Sequence, residues 1–147
     1  MSRSMMFDSL LIVCTANLCR SPIAQGLMQR TFVDKHILSA GLMVNIAKPI
    51  APLALSIAQQ HGLDLSQHKA TSLTQALCLH ADLILVMENW QLHEVANYHF
   101  AIRGKVFLFG HWLNHMEIPD PFGKEHAMFE HTYSLLEQAT QSWFGRI

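Results

Sequence analysis

Apolar residues fall in short unbroken runs along this chain, separated by stretches of helical spacing. Residues 10–13 (Leu-Leu-Ile-Val) are such a run, and the stretches 81–87 and 105–109 carry one each after Asp82 and Lys105, the last closed by Gly110. Runs of this length without polar alternation predict strands buried on both faces. Residues 36–40, stopped by Gly41, make a fourth apolar piece. Ile23, Leu27, Met28 and Phe32 recur at i, i+4, i+5 and i+9, which predicts an amphipathic helix over residues 23–33. Pro52 opens a second helix over 53–61, closed by Gly62. Residues 65–79 read as a turn with one or two short helical pieces, and 90–98 as a helix. A longer helix over 124–144 follows from Met128, Phe129, Tyr133, Leu135, Leu136, Ala139 and Trp143. Prolines 49 and 52 mark residues 42–52 as a loop, and prolines 119 and 121 mark 110–123 as another.

Strands alternating with helices predict an α/β fold: a single domain over residues 1–147, with a four-stranded parallel sheet and helices on both faces. Ligands of such sheets sit outside the carboxyl ends of the strands. Cys14 lies at that end of the first strand, and Ser21-Pro22 reads as an N-cap followed by a proline at the first helical position. The loop between them has free backbone N–H groups converging near a helix N-terminus, a natural cradle for an anion. Thiols beside helix N-termini and cations ionise readily, which makes Cys14 a candidate nucleophile. Arg20 adds a planar fork suited to two phosphate oxygens.

Composition narrows the classes. At 147 residues, half of them hydrophobic, the chain can bury a proper core. A net charge of −1 without a basic block argues against nucleic-acid binding, and no apolar run approaches the ~20 residues a membrane span needs. Arg3 precedes the first apolar run, but Asp8 interrupts the approach and Val13 stands where a lipoprotein signal wants a small residue, so no targeting segment is read. Three cysteines, an odd number without framework spacing, suggest a reducing cytoplasm. The pairs His111/His115 and Cys78/His80 have ligand-like spacing, but neither comes with a complete ligand set.

Cys14-x5-Arg20-Ser21-Pro22, in its strand–loop–helix setting, resembles the phosphate loop of the low-molecular-weight protein tyrosine phosphatases, whose pattern is Cys-x-Gly-Asn-x-Cys-Arg-Ser-Pro. The likeness runs over nearly the whole chain: Ser39-Ala40-Gly41, His68 with Ala70, the stretch 82–87, Gly104-Lys105-Val106, Leu108-Phe109-Gly110, and Ile118-Pro119-Asp120-Pro121-Phe122. It is nearest to a bacterial branch paired with tyrosine kinases of exopolysaccharide export. The resemblance implies a phosphatase loop between first strand and first helix, with Thr15, Ala16, Asn17, Leu18, Cys19, Arg20 and Ser21 binding phosphate. It further implies Cys14 as nucleophile, Arg20 as transition-state clamp and Asp120 as general acid and base, with no metal or cofactor. Asn17, Ser21, Ser39 and His68 would brace the loop. Cys19 is either a packed small residue or a redox partner for an oxidised Cys14. The implied partner is a phosphotyrosine protein, such as a bacterial tyrosine kinase; the oligomeric state is left open.

Five positions depart from the family pattern. Ala16 replaces a glycine, which costs about 1–2 kcal/mol if the position needs positive φ and nothing otherwise. Asn45-Ile46 stands where many relatives carry an aromatic wall, and Phe122 replaces a tyrosine, so the substrate rim would consist of Asn45, Ile46 and Phe122. Ala51 replaces an aspartate before the Pro52 helix and would weaken its cap. Two other functions compete: arsenate reduction, which needs a thiol relay that Cys78 lacks a partner for, and non-catalytic phosphotyrosine binding.

Overall fold

A computed structural model describes residues 7–147; Arg3 lies outside the described residues. One parallel sheet, in the order β2-β1-β3-β4, organises the fold. Its strands are β1 (Ser9–Cys14), β2 (His36–Gly41), β3 (Leu83–Val86) and β4 (Val106–Leu108). The helices are α1 (Arg20–Thr31), α2 (Pro52–Gln60), α3 (Gln75–His80), α4 (Asn89–Ala96) and α5 (His126–Ser142), with a 3-10 segment at Phe100–Lys105.

The alternation of side chains along β1 divides the core. Leu10, Ile12 and Cys14 face one apolar layer with Ile23 and Leu27 of α1, Ile57 of α2 and Phe129 and Leu136 of α5. Leu11 and Val13 face the other, with Cys78 of α3, Val95 of α4 and Ile102. The sheet is therefore covered on both faces, as its unbroken apolar strands require. Register pairs Cys14 with Gly41, so the loop after β1 leaves the sheet beside the end of β2. A Cβ on Gly41 would stand 2.8 Å from the Thr15 carbonyl oxygen and 2.7 Å from Val44 Cγ2, so the backbones approach closely there only because the residue is glycine.

Two boundaries differ from the expected ones for a local reason. Helix α1 begins at Arg20 with Cys19 as its N-cap, so Ser21 does not cap and Pro22 occupies the third helical position. Proline is tolerated there because the first four N–H groups of a helix have no intrahelical acceptor. Residues 65–74 are irregular and only α3 follows, capped by Thr74 Oγ1 on the Leu77 amide. Helix α2 has Ala51 as its N-cap and no side-chain cap, as the alanine predicts.

Candidate active site

The loop from Cys14 to Arg20 closes around a cavity of about 270 Å³ lined by Cys14, Thr15, Ala16, Leu18, Cys19, Arg20, Met43, Asn45, Lys48, Asp120 and Phe122. The amide N–H groups of Thr15 through Cys19 donate to no protein acceptor among the described residues. A run of free amides at the N-terminus of α1 is suited to an anion. The loop holds its shape through its carbonyls instead: Cys14 O and Thr15 O accept from the amides of Leu42 and Met43, and Leu18 O from Ala51.

Asn17 and Ser21 do not line the cavity but brace it from behind. Asn17 is buried and carries a left-handed φ of 58°, one of three such non-glycine residues among those described. Ala16 is not among them, so the alanine that replaces the family's glycine bears no such strain. Asn17 Nδ2 donates to Ser21 Oγ (2.6 Å) and to Ser39 Oγ (3.1 Å), while Asn17 Oδ1 accepts from the Thr71 amide (2.9 Å). His68 Nε2 lies 2.7 Å from Asn17 O, and a carbonyl only accepts, so that ring nitrogen carries its proton. Ser39 Oγ passes its own proton on to Gln25 Oε1 (2.7 Å). Because Ser21 Oγ accepts from Asn17, its hydrogen is free to point at Cys14 Sγ, 3.0 Å away. The network thus orients a hydroxyl donor at the sulfur.

Arg20 is almost fully buried beneath the cavity. Nη1 donates to Glu88 Oε2 (2.5 Å) and to Ile118 O (2.9 Å), and Nη2 to Thr15 Oγ1 (3.3 Å). Of the five guanidinium N–H groups, these three leave two, one on Nε and one on Nη2. That remaining pair has the planar fork geometry suited to two oxygens of an anion. Thr15 Oγ1 also accepts from Gln91 Nε2 (3.0 Å), and Gln91 Oε1 in turn caps the amides of Met87 and Glu88.

Asp120 reaches the same cavity from the far loop. The Ile118 amide donates to Met87 O at the end of β3, which ties that loop to the sheet. Asp120 Oδ1 accepts from the Phe122 amide (3.0 Å), and Oδ2 lies 3.6 Å from Arg20 Nη2 with the side chain about half exposed. One oxygen closes the turn and the other faces the cavity. Cys19 lines the cavity too; burial, then Cys14 and Asp120, push its thiol far above the ordinary range against the opposing pull of Arg20. It is therefore a neutral thiol beside Cys14, and all three cysteines are unpaired.

Of the rim residues, Asn45 and Phe122 line the cavity, whereas Ile46 stands 82% exposed outside its lining. An Asx turn at Asn45, whose Oδ1 accepts from the Ala47 amide, brings Lys48 to the mouth instead. The sequence pointed to neither Glu88, Gln91, Gln25 nor Thr71, because each meets the loop only through the tertiary fold. Lys48 and Met43 lay unassigned in the predicted 42–52 loop.

The family model described as low molecular weight phosphotyrosine protein phosphatase matches residues 9–147. This chain belongs to that family. It is 42% identical over 138 residues to the low molecular weight protein-tyrosine-phosphatase Wzb of Escherichia coli strain K12, covering 94% of each chain. The crystal structure of tyrosine phosphatase Wzb from Escherichia coli K30 in complex with sulphate superposes with a TM-score of 0.91 at 41% identity, covering 95% of this chain and 98% of that one. Vibrio vulnificus Wzb in complex with benzylphosphonate superposes with a TM-score of 0.92 at 34% identity, covering 96% and 99%. Four parallel strands with the phosphatase loop between β1 and α1 are thus the fold of this family as well as of this sequence.

Proposed function

We propose that the chain is a phosphotyrosine-protein phosphatase that works as a single domain through a cysteinyl-phosphate intermediate. The observation that carries this reading is the convergence of Cys14, the free guanidinium edge of Arg20 and Asp120 Oδ2 on one cavity. The Cys14 sulfur attacks phosphorus in line, the bond from phosphorus to the phenolic oxygen breaks, and Asp120 gives that oxygen its proton. Water then attacks phosphorus, Asp120 takes the water's proton, and inorganic phosphate leaves with Cys14 restored. Charge on the equatorial oxygens is met by the Thr15–Cys19 amides and the two open N–H groups of Arg20. Tyrosine leaves as a phenol of pKa near 10, so the proton from Asp120 is worth roughly 10²–10⁴-fold.

An aryl substrate suits the apolar side of the cavity, formed by Leu18, Met43 and Phe122. The benzylphosphonate bound by the Vibrio relative has the same two parts, an aromatic ring and a tetrahedral phosphorus group. The physiological substrate is a phosphotyrosine protein, and the likeness to the exopolysaccharide-associated branch favours a bacterial tyrosine kinase. We place the enzyme in the cytoplasm, on its unpaired cysteines; among the described residues no helix is long and apolar enough to cross a membrane. Steady-state kinetics on phosphotyrosine against phosphoserine peptides, with and without vanadate, tests the reading. Hydrolysis confined to phosphotyrosine and blocked by vanadate is expected; equal rates on both peptides would overturn the tyrosine assignment.

A further inference from the structure

The mouth of the cavity carries one cation that forms no ion pair among the described residues. Three charged side chains line the cavity: Arg20, Asp120 and Lys48. Arg20 is held by Glu88 and approached by Asp120, so those charges are matched at short range. Lys48 forms no ion pair among the described residues. Its ammonium instead stands 5.7 Å from the centroid of the Phe122 ring, a cation–π distance. Its backbone is fixed as well, since the Lys48 amide donates to Asn45 O (3.0 Å) and closes the turn begun by the Asn45 side chain.

Lys48 thus arches from one side of the mouth toward Phe122 on the other. Both residues line the cavity, so the residues flanking a phenyl ring that enters it meet the rim they form. That rim is apolar and exposed at Met43 (64%) and Phe122 (51%), with Lys48 supplying its charge. Resting on the reading of the cavity as a phosphotyrosine site, we infer that Lys48 selects substrates with an aspartate or glutamate adjacent to the phosphotyrosine. The flanking carboxylate pairs with the ammonium at the rim, while Phe122 holds that ammonium over the entrance.

The pair is solvent-exposed, so its effect is modest and sensitive to salt. The test is kcat/KM on three phosphotyrosyl peptides that differ only in the flanking residue, Glu, Gln or Lys, for the wild type, Lys48→Met and Lys48→Glu. The wild type should favour the Glu peptide over the Gln peptide by about two- to fivefold, and high salt should shrink that ratio. Lys48→Met should bring the ratio to one, and Lys48→Glu should turn the preference toward the Lys peptide. An unchanged ratio in Lys48→Met overturns the inference, and so does an equal loss on all three peptides that leaves the ratio intact. A peptide-free aryl phosphate, assayed beside them, separates the two claims, because its failure to be hydrolysed by the wild type would sink the phosphatase reading itself.

Discussion

Arg20 Nη1 lies 2.5 Å from Glu88 Oε2, joining the start of α1 to the start of α4 across the carboxyl ends of β1 and β3. The contact fixes one edge of the guanidinium and turns the other toward the cavity. Glu88→Ala removes the anchor and leaves a buried cation to find other partners. Removing one member of a buried pair costs roughly 3–5 kcal/mol, and the partial exposure of Glu88 puts the expected loss below that range. Urea unfolding should show destabilisation of about 1–3 kcal/mol. Turnover should fall on the order of 10²-fold, the effect of misplacing a catalytic group by about an ångström. Wild-type turnover in this variant would show that Glu88 does not position Arg20.

Asn17 combines a left-handed backbone with three side-chain hydrogen bonds. The two contributions separate by substitution. Asn17→Gly keeps the backbone freedom and loses the bonds, whereas Asn17→Ala loses both, so the alanine variant should be the less stable by about 1 kcal/mol. Both should lose activity, because Ser21 then has no donor to orient its hydroxyl toward Cys14. Denaturant midpoints and kcat on the same preparations check this; an alanine variant as stable as the glycine one would remove the backbone argument.

The loop and the sheet were legible in the sequence because they rest on local signals. Unbroken apolar runs marked β1, β3 and β4, and Cys14-x5-Arg20-Ser21-Pro22 marked the cradle. The start of α1 was misplaced by two residues because Ser21-Pro22 resembles a cap and first turn, while in the fold the Ser21 hydroxyl is engaged by Asn17 and Cys14. Glu88, 68 residues from Arg20, left no local trace, nor did Gln91 or Gln25. Long-range polar partners carry no periodicity. Lys48 was hidden differently: a lysine in a proline-bounded loop reads as solvated surface until the Asn45 turn sets it over Phe122.

Asp120 closes its turn with Oδ1 and leaves Oδ2 at the cavity, so on the proposed mechanism Asp120→Asn should keep the turn and lose the proton. Turnover on phosphotyrosine should drop by roughly 10²–10⁴-fold. The loss should be smaller on an aryl phosphate whose phenol is more acidic, since such a leaving group departs without protonation. Comparing kcat for the two substrates in both proteins checks it. Equal losses on both would argue against Asp120 as the general acid.

His111 packs among Phe107, Trp112, His115 and Trp143. Burial and then the neighbouring His115 hold its pKa below the usual imidazole value. The folded state therefore disfavours the charged ring. The stability it contributes is present in full above the ordinary value near 6.5 and is lost as pH falls below it through the lowered one. Between about pH 7 and pH 5, Tm should fall more steeply in the wild type than in His111→Gln. Parallel curves would show that this ring is not a source of acid sensitivity.

On the proposed mechanism, phosphate passes through the Cys14 sulfur. The most direct test of this mixes Asp120→Ala, in which the second step lacks its base, with an aryl phosphate whose acidic phenol departs without protonation, quenches the mixture in acid and locates the phosphate by mass spectrometry. Phosphate is expected on Cys14, none in the Cys14→Ala, Asp120→Ala double variant, and no turnover in Cys14→Ala alone. Phosphate on another residue, or undiminished hydrolysis by Cys14→Ala, would contradict it.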